Sequence, residues 1–311
     1  MSNTGVNGVI NIYKEKGFTS HDVVAKLRGI LKIKKIGHTG TLDPDAEGVL
    51  PVCIGNATKL CELIMEKDKI YEAELILGKQ TDTQDISGEI LNESDEYLKL
   101  REEEITNVIN SFVGEYDQVP PMYSALKVNG KKLYEYAREG LEIERKSRKV
   151  NIFDIEILSI ELPVVKIKVH CSKGTYIRTL CNDIGDKLNV YGCMGKLLRT
   201  KTGVFEIEKS YKLSEIQEIV NSGNIIENQA LIKVDEVLSD YEKLILNKNY
   251  EKLLLNGNIL DRKAFSFEDG LTAVFDTDGK LYRIYDSAGK FMAVYKYFKK
   301  TDILKPEKMF M

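Results

Sequence analysis

The segment IYEAELILG, residues 70 to 78, constrains the fold most strongly because its side chains alternate between apolar and charged. Successive side chains of a β-strand point to opposite faces of a sheet, so the alternation predicts a strand with one buried face. The segment VVKIKVHCS alternates in the same way, and RKVNIFDIEILSIEL is also typical of a strand. The chain is therefore expected to contain a sheet that packs against helices.

Helical patterns lie between these strands. In TSHDVVAKLRGILKIKK, apolar residues recur at helical spacing after Ser20, which is the predicted N-cap. Residues 102 to 113 and GTYIRTLCNDIGDKLN have similar apolar stripes, and Gly140 is expected at the C′ position of a short helix. Antiparallel-looking strands mixed with scattered helices predict an α+β fold rather than a βαβ repeat.

The composition of the chain changes after about residue 230. LTAVFDTDGKLYRIYDSAGKFMAVYKYF predicts three short strands joined by turns at Asp278-Gly279 and Ala288-Gly289. We therefore predict a large domain over residues 1–230, with a basic arm at about 120–149, and a small β-rich module over residues 231–311.

Composition argues against several classes of protein. No apolar run approaches the roughly 18 residues that a membrane helix needs, and the first residues lack the pattern of a signal peptide. The five cysteines include no C-x-x-C pair, and three histidines are few for a zinc framework. We expect a cytoplasmic protein with reduced thiols and no metal.

The net charge of −3 conceals an uneven distribution. Residues 82 to 117 carry eleven acidic and two basic side chains, whereas residues 127 to 149 carry eight basic and four acidic ones. A mildly acidic protein can therefore present a basic face to the phosphates of a nucleic acid. Charge alone is equally consistent with ordinary solvated surfaces.

The segment KIGHTGTLDPDAEGVLPVCIG, residues 35 to 55, places Asp43 directly before a proline. A residue before proline is restricted to extended geometry, and apolar residues on both flanks can anchor the loop. A carboxylate held in this way suits a nucleophile or a general base. Asp-Pro also opens many turns, so a purely structural role for Asp43 is the alternative.

Three other side chains have both a structural and a functional interpretation. His38, in a basic loop between glycines, could stack on a base. Tyr71 opens a strand, where tyrosines are most often packing residues. Arg178, in the first turn of a predicted helix, opposes the helix dipole, which suggests a carboxylate partner elsewhere. Such a pair would lower the pKa of the acid, but spacing alone does not identify that acid.

Together these segments closely resemble the TruB-type tRNA pseudouridine-55 synthases. GHTGTLDPDAEGVLPVCIGNATK is followed, in the order of the family, by KIYEAELILGKQTDTQDISG, VPPMYSALKVNGKKLYEYAREG, CSKGTYIRTLCNDIG and LLRTKTG. The resemblance covers residues 8 to about 210. It implies a mixed, mostly antiparallel sheet flanked by helices, with a PUA-like RNA-binding module at the C-terminus.

The resemblance also implies an activity, the isomerisation of a uridine in the TΨC loop of tRNA to pseudouridine, with no metal or organic cofactor. Such an enzyme turns the nucleotide out of the RNA stack, breaks the bond between uracil and ribose, and rejoins the base through carbon. It would act on tRNA as a monomer without a protein partner, and residues 127 to 149 would clamp the TΨC stem-loop.

Site residues follow from the same resemblance. Asp43 matches the nucleophile of the family, and Arg178 matches the arginine that pairs with it. Tyr71 matches the tyrosine that stacks on the base and is favoured for removing the C5 proton. The other residues that match substrate-binding positions are His38, Tyr176 and Leu197. Leu198 stands where the family often has an arginine, which bears on an RNA contact and not on the chemistry.

Three alternatives stay open. A glycoside hydrolase could use Asp43 with Asp45 or Glu47 as its carboxylate pair. A guide-dependent synthase of the dyskerin type shares the nucleophile motif but needs partner proteins. The third alternative is a non-catalytic RNA binder or folding chaperone.

Overall fold

The computed structural model describes residues 6–223, 225, 228–266 and 275–310. Its strands in chain order are β1 (Gly8–Lys14), β2 (Ile36–His38), β3 (Glu47–Ile54), β4 (Lys69–Leu77), β5 (Lys79–Thr81), β6 (Ile90–Glu93), β7 (Gly114–Gln118), β8 (Lys127–Val128), β9 (Lys131–Lys132), β10 (Arg148–Glu161), β11 (Val164–Cys171), β12 (Gly192–Thr202), β13 (Phe205–Glu206), β14 (Glu242–Leu246), β15 (Leu260–Asp261), β16 (Phe265–Ser266), β17 (Leu281–Tyr285), β18 (Phe291–Phe298) and β19 (Ile303–Met309). Its α-helices are α1 (Ser20–Leu31), α2 (Cys61–Met65), α3 (Glu102–Asn110), α4 (Leu133–Arg138), α5 (Ile177–Lys187), α6 (Leu213–Ser222), α7 (Val234–Val237) and α8 (Glu251–Leu255).

A large mixed sheet forms the body of the molecule. Its strands lie in the order β1-β3-β12-β4-β11-β10-β7, with β2 paired to β3 and β13 paired to β12. The neighbouring strands are antiparallel except for β3 and β12, which run parallel. The alternating segment forms β4, in which buried and half-buried residues alternate as expected. The predicted α+β class, with a mostly antiparallel sheet, is confirmed.

Helices cover this sheet in two places. α3 and α5 pack on β4, β10 and β11 around a core that includes Ile105, Ile109, Leu180 and Ile184. α1 and α6 pack on β1 and β3 around a second apolar cluster. α5 lies very close to the start of β12, because a Cβ on Gly185 would be only 2.1 Å from the backbone nitrogen of Gly192. This close approach fixes the helix that carries Arg178.

The N-terminus of α1 differs from the prediction by one residue. Thr19 is the N-cap and forms a capping box with Asp22, whose backbone N–H donates to the Thr19 hydroxyl at 3.1 Å. Ser20 was the predicted cap, and that prediction was wrong. Its buried hydroxyl instead accepts a hydrogen bond from the backbone N–H of Leu42 at 3.0 Å, so it serves the neighbouring loop.

The C-terminal part of the chain forms a separate sheet in the order β15-β19-β18-β17-β14-β16. The turn at Ala288-Gly289 joins β17 to β18 as predicted. The strand predicted before Asp278 begins at residue 271 and falls largely on residues 271–274, outside the described residues. Val294 of this module packs with Val9 and Val49 of the main sheet. The confirmed feature is the β-rich module, while the boundary at residue 230 stays a prediction. No helix within the described ranges is long and apolar enough to cross a membrane.

Candidate active site

Asp43 lies in the loop between β2 and β3, at the first position of a turn. The backbone N–H of Ala46 donates to the Asp43 carbonyl at 3.1 Å, and proline occupies the second position, as many turns prefer. Leu42 and Ala46, on either side of the turn, are buried. The backbone of Asp43 therefore opens a turn, as the structural alternative predicted. Its carboxylate takes no part in that hydrogen bond and makes separate contacts.

A buried lysine holds the same loop. Lys14, the last residue of β1, is fully buried, and its Nζ donates to the carbonyls of Phe18 at 2.6 Å and Pro44 at 3.0 Å. Burial lowers the pKa of Lys14 to about 8, although the carboxylates of Glu47 and Asp43 oppose that change. Lys14 thus ties the main sheet to the proline that follows Asp43.

The strand that leaves the loop requires glycine at position 48. Gly48 has a φ of +104°, and a Cβ there would lie 2.2 Å from the backbone oxygen of Arg199 on β12. We expect Gly48→Ala to lower the free energy of unfolding by about 3 kcal/mol or more, since it combines backbone strain with a clash. Urea denaturation measures the loss.

Gly17→Ala is the matched control for that substitution. Gly17 also has a positive φ, of +88°, but nothing lies within 4 Å of the position its Cβ would take. Its replacement should therefore lower stability by only about 1 kcal/mol, the ordinary strain of a left-handed residue. Equal losses in the two variants would contradict the close contact between Gly48 and β12.

The carboxylate of Asp43 pairs with Arg178 on α5. The Nε of Arg178 lies 3.1 Å from Oδ2 of Asp43, and the arginine side chain is 7% exposed, against 44% for the aspartate. The rest of the guanidinium is also occupied: it donates to the carbonyls of Thr83 at 3.0 Å and Tyr123 at 2.9 Å, and lies 3.6 Å from Asp85. Contacts with three segments of the chain, around residues 43, 83–85 and 123, therefore fix the orientation of Arg178.

The net change in the pKa of Asp43 is upward, opposite to the change that its ion pair with Arg178 alone would cause. Burial raises this pKa most, the Arg178 guanidinium lowers it by less, and the charge of Asp85 raises it again, so the net change is upward. Arg178 lowers the pKa of Asp43, as expected of such a pair, but the loss of water around the carboxylate outweighs its effect. Asp43 is therefore a more basic carboxylate than one in open solvent.

Tyr71 and Leu197 pack in the apolar cluster that includes Leu42, the residue before Asp43. Tyr71 on β4 is 9% exposed and packs in the same hydrophobic cluster as Leu42. Burial raises the pKa of its hydroxyl, which the guanidinium of Arg199 partly offsets, and the charge of Asp43 raises that pKa further. Leu197, half-buried on β12, packs at the edge of this cluster.

Tyr176 is held through its backbone at the N-terminus of α5. The side-chain amide of Gln118 accepts from the Tyr176 N–H at 2.7 Å and donates to the Tyr176 carbonyl at 2.9 Å. Gln118 is buried at the end of β7, where the basic arm begins, and Tyr176 has no side-chain cap of its own. The same amide therefore fixes the start of the helix that carries Arg178.

His38 ends β2, just before the loop. Its ring makes an edge contact with His21 at a centroid distance of 5.2 Å. Burial lowers the pKa of His38, and the charges of His21 and Arg199 lower it further, so the neutral ring is favoured. Its Nδ1 is buried, and no described residue provides a hydrogen-bond partner for it. Within the described chain, no hydrogen bond or ion pair joins His38 to Asp43.

The basic arm lies between β7 and β10. In α4 the ring of Tyr134 lies 5.3 Å from both the Nζ of Lys132 and the guanidinium of Arg138. The exposed bases of the arm include Lys127, Lys146 and Arg148. The arm contacts the site directly through the Tyr123 carbonyl that accepts from Arg178.

Sequence reasoning missed Lys14, Asp85 and Gln118. Only Lys14 had a local signal, a charged residue that ends an otherwise buried strand. Asp85 was hidden in an acidic segment, and Gln118 precedes a proline-rich loop without any distinguishing pattern. In the described part of the chain, no group of three or more potential ligands could hold a metal ion, and the five cysteines are free thiols.

Two family models match the chain. The TruB family pseudouridylate synthase (N terminal domain) matches residues 28–177, and the tRNA pseudouridylate synthase B C-terminal domain matches residues 178–245. The tRNA pseudouridine synthase B of Lachnoclostridium phytofermentans is 50% identical over 98% of this chain and 100% of its own. That of Clostridioides difficile is 45% identical, again over 98% of this chain and 100% of its own.

Solved structures are similar as well. A chain of a Cbf5-Nop10-Gar1 complex has a TM-score of 0.76 and 27% identity, and the match covers 98% of this chain and 85% of that one. A chain of an H/ACA RNP bound to a substrate RNA containing 2′-deoxyuridine has a TM-score of 0.74 and 25% identity, with the same coverage. These similarities extend over both sheets of the present chain.

Proposed function

The chain belongs to the TruB family of pseudouridylate synthases, which are isomerases, and on that premise we propose that it converts the uridine at position 55 of tRNA to pseudouridine. Relatives named tRNA pseudouridine synthase B match nearly its whole length, which supports tRNA as the substrate. The observation that carries the proposed chemistry is the 3.1 Å contact between Asp43 and Arg178.

In the proposed reaction a carboxylate oxygen of Asp43 bonds to C1′ of the ribose as the bond between C1′ and N1 of uracil breaks, and N1 takes the proton of the Tyr71 hydroxyl. The base then turns within the site, C5 bonds to C1′ as the bond between C1′ and the Asp43 oxygen breaks, and the C5 proton passes to the Tyr71 phenolate. Atoms balance because the product is an isomer of the substrate. Arg178 keeps the carboxylate oriented toward the ribose. This orientation raises the reaction rate because the reacting atoms must be closely aligned.

Access to the ribose requires the nucleotide to leave its stack, at a free-energy cost of a few kcal/mol. The rings of His38, Tyr71 and Tyr176 are proposed to replace part of this stacking, with Leu197 against the base. The exposed bases of the arm would contact the phosphates of the TΨC stem-loop. The β-rich C-terminal module would add a PUA-like RNA contact.

A guide-dependent synthase is the second candidate function, because the similar solved structures include Cbf5 with Nop10 and Gar1. The relatives of this chain that match over their full length carry tRNA pseudouridine synthase names, which favours a stand-alone monomer.

A glycoside hydrolase receives less support. Asp45 is 65% exposed beside Lys16, and Glu47 accepts a hydrogen bond from Tyr13, so neither pairs with Asp43.

The test is to incubate the purified chain alone with an unmodified tRNA transcript. Pseudouridine is then tagged with a carbodiimide, and the digested RNA is mapped by mass spectrometry. One tagged position in the TΨC loop is expected, and a transcript with cytidine at that position should stay untagged. Unchanged RNA would contradict the stand-alone proposal, and release of free uracil would indicate a hydrolase.

A further inference from the structure

Arg199 is buried, and its guanidinium contacts the backbone of the loop that carries Asp43. The proposed reaction gives this residue no role. It is 1% exposed and is among the largest fully buried side chains of the described residues. Its Nε donates to the carbonyl of Val49 at 2.7 Å, and Nη2 donates to that of Gly40 at 3.3 Å. Both of these partners are backbone carbonyls, and among the described residues no carboxylate pairs with its guanidinium. An uncompensated buried charge is unfavourable for stability, which suggests a functional reason for this residue.

The two carbonyls lie at the two ends of the loop that carries Asp43. Gly40 precedes the aspartate and Val49 follows it on β3, so a single guanidinium joins the beginning of the loop to its end. An arginine can make both contacts because its donors form a rigid planar fork. The turn at Asp43 is therefore closed from the side of β12.

The backbone of Arg199 occupies a matching position in the sheet. β12 lies between β3 and β4, and Arg199 is directly opposite Gly48 on one side and Tyr71 on the other. Side chains directly opposite each other in an antiparallel pair share a face and are neighbours. Arg199 is therefore at the one position of β12 that adjoins both the Asp43 loop and Tyr71.

With Asp43 and Tyr71 in the roles proposed above, we propose that Arg199 is a positioning residue for both of them. Its guanidinium fixes the two ends of the Asp43 loop and places a permanent positive charge beside the Tyr71 hydroxyl. The charge stabilises the phenolate that Tyr71 must reach in order to accept the C5 proton. The hydroxyl is otherwise disfavoured in this role, because burial raises its pKa and only Arg199 is prominent in opposing that change.

The electrostatic part can be tested without tRNA. We would replace Tyr71 with 3,5-difluorotyrosine, whose phenol titrates near neutral pH, and follow its titration by ¹⁹F NMR. Arg199→Gln removes the charge and should raise the titration midpoint by roughly one pH unit. Arg199→Lys keeps the charge and should restore most of the shift. The matched control is Lys196→Gln, which removes a charge from the same strand at a side chain that is 85% exposed, and it should leave the midpoint unchanged.

The positioning part is tested by single-turnover kinetics with unmodified tRNA and wild-type Tyr71. Arg199→Lys cannot reach both carbonyls at once, so the rate of the chemical step should fall about tenfold or more while tRNA affinity is retained. Circular dichroism identifies any variant that fails to fold, and in that event the lysine variant alone decides the outcome.

Two results would overturn the inference. The first is a midpoint in folded Arg199→Gln that matches Lys196→Gln, and the second is a wild-type single-turnover rate in Arg199→Lys. Because the NMR titration needs no RNA, it separates a failure of the role of Arg199 from a failure of the proposed reaction.

Discussion

Replacement of Asp43 by asparagine should abolish pseudouridine formation, with a loss of about 10⁴-fold or more in single-turnover rate. Asparagine has nearly the same shape, so the loop and the tRNA-binding surfaces should persist, and tRNA affinity should stay within about threefold of the wild type. The measurements are tritium release from C5-labelled uridine in tRNA and a filter-binding titration. Residual activity above a few per cent would remove Asp43 from the mechanism.

The same variant should be more stable than the wild type at neutral pH. The pKa of Asp43 is raised in the folded protein, so its ionised form is favoured less in the folded state than in the unfolded state. This penalty is present above the folded pKa and disappears as pH falls below the ordinary carboxyl value. Thermal melts should therefore show a higher midpoint for Asp43→Asn at pH 7, and the difference should vanish in acid.

Asp45→Asn is the control for both measurements. Asp45 lies two residues away, is 65% exposed, and has only a 3.7 Å contact with Lys16. Its replacement removes the same charge from the same loop, and both activity and melting midpoint should stay close to those of the wild type. A melting midpoint that rises equally in both variants would show that general charge reduction, rather than the environment of Asp43, causes the change.

Arg178→Lys should lower the rate of the chemical step by about 100-fold while leaving tRNA affinity nearly unchanged. Lysine keeps the positive charge, but one ammonium group cannot serve Asp43, the Thr83 carbonyl and the Tyr123 carbonyl with the geometry of a guanidinium. Single-turnover rates and equilibrium binding separate the two effects. Arg101→Lys, at an exposed residue that pairs with Glu104 on α3, is the control and should behave as wild type.

The pH profile gives a second measurement at Arg178. Its guanidinium lowers the pKa of Asp43, so Arg178→Met should move the acidic limb of the rate profile to higher pH. Arg178→Lys should keep that limb close to its wild-type position because the charge remains. Equal losses of rate and affinity, with an unmoved limb, would contradict the assigned pairing.

Local structure was predictable where a single period dominates the sequence. The alternation of β4 and β11 and the apolar stripes of α3 and α5 determine which faces are buried, because strand and helix periods leave few other arrangements. Boundaries were less certain, as the shift of the N-cap from Ser20 to Thr19 shows. Thr19 and Ser20 are both suitable N-caps, and Thr19 takes this position because the Ser20 hydroxyl bonds to Leu42 in the neighbouring loop.

The sequence by itself determined the α+β class, the main strands and helices, and, through its ordered motifs, the family and the candidate residues. The family resemblance also implied that Arg178 pairs with Asp43, and the structure places the two 3.1 Å apart. Only the tertiary structure showed that Lys14 and Arg199 hold the loop and that the pKa of Asp43 is raised. The physical reason is that these properties depend on which distant segments approach each other and how much water they exclude. Neither quantity is encoded in the spacing of residues along one segment.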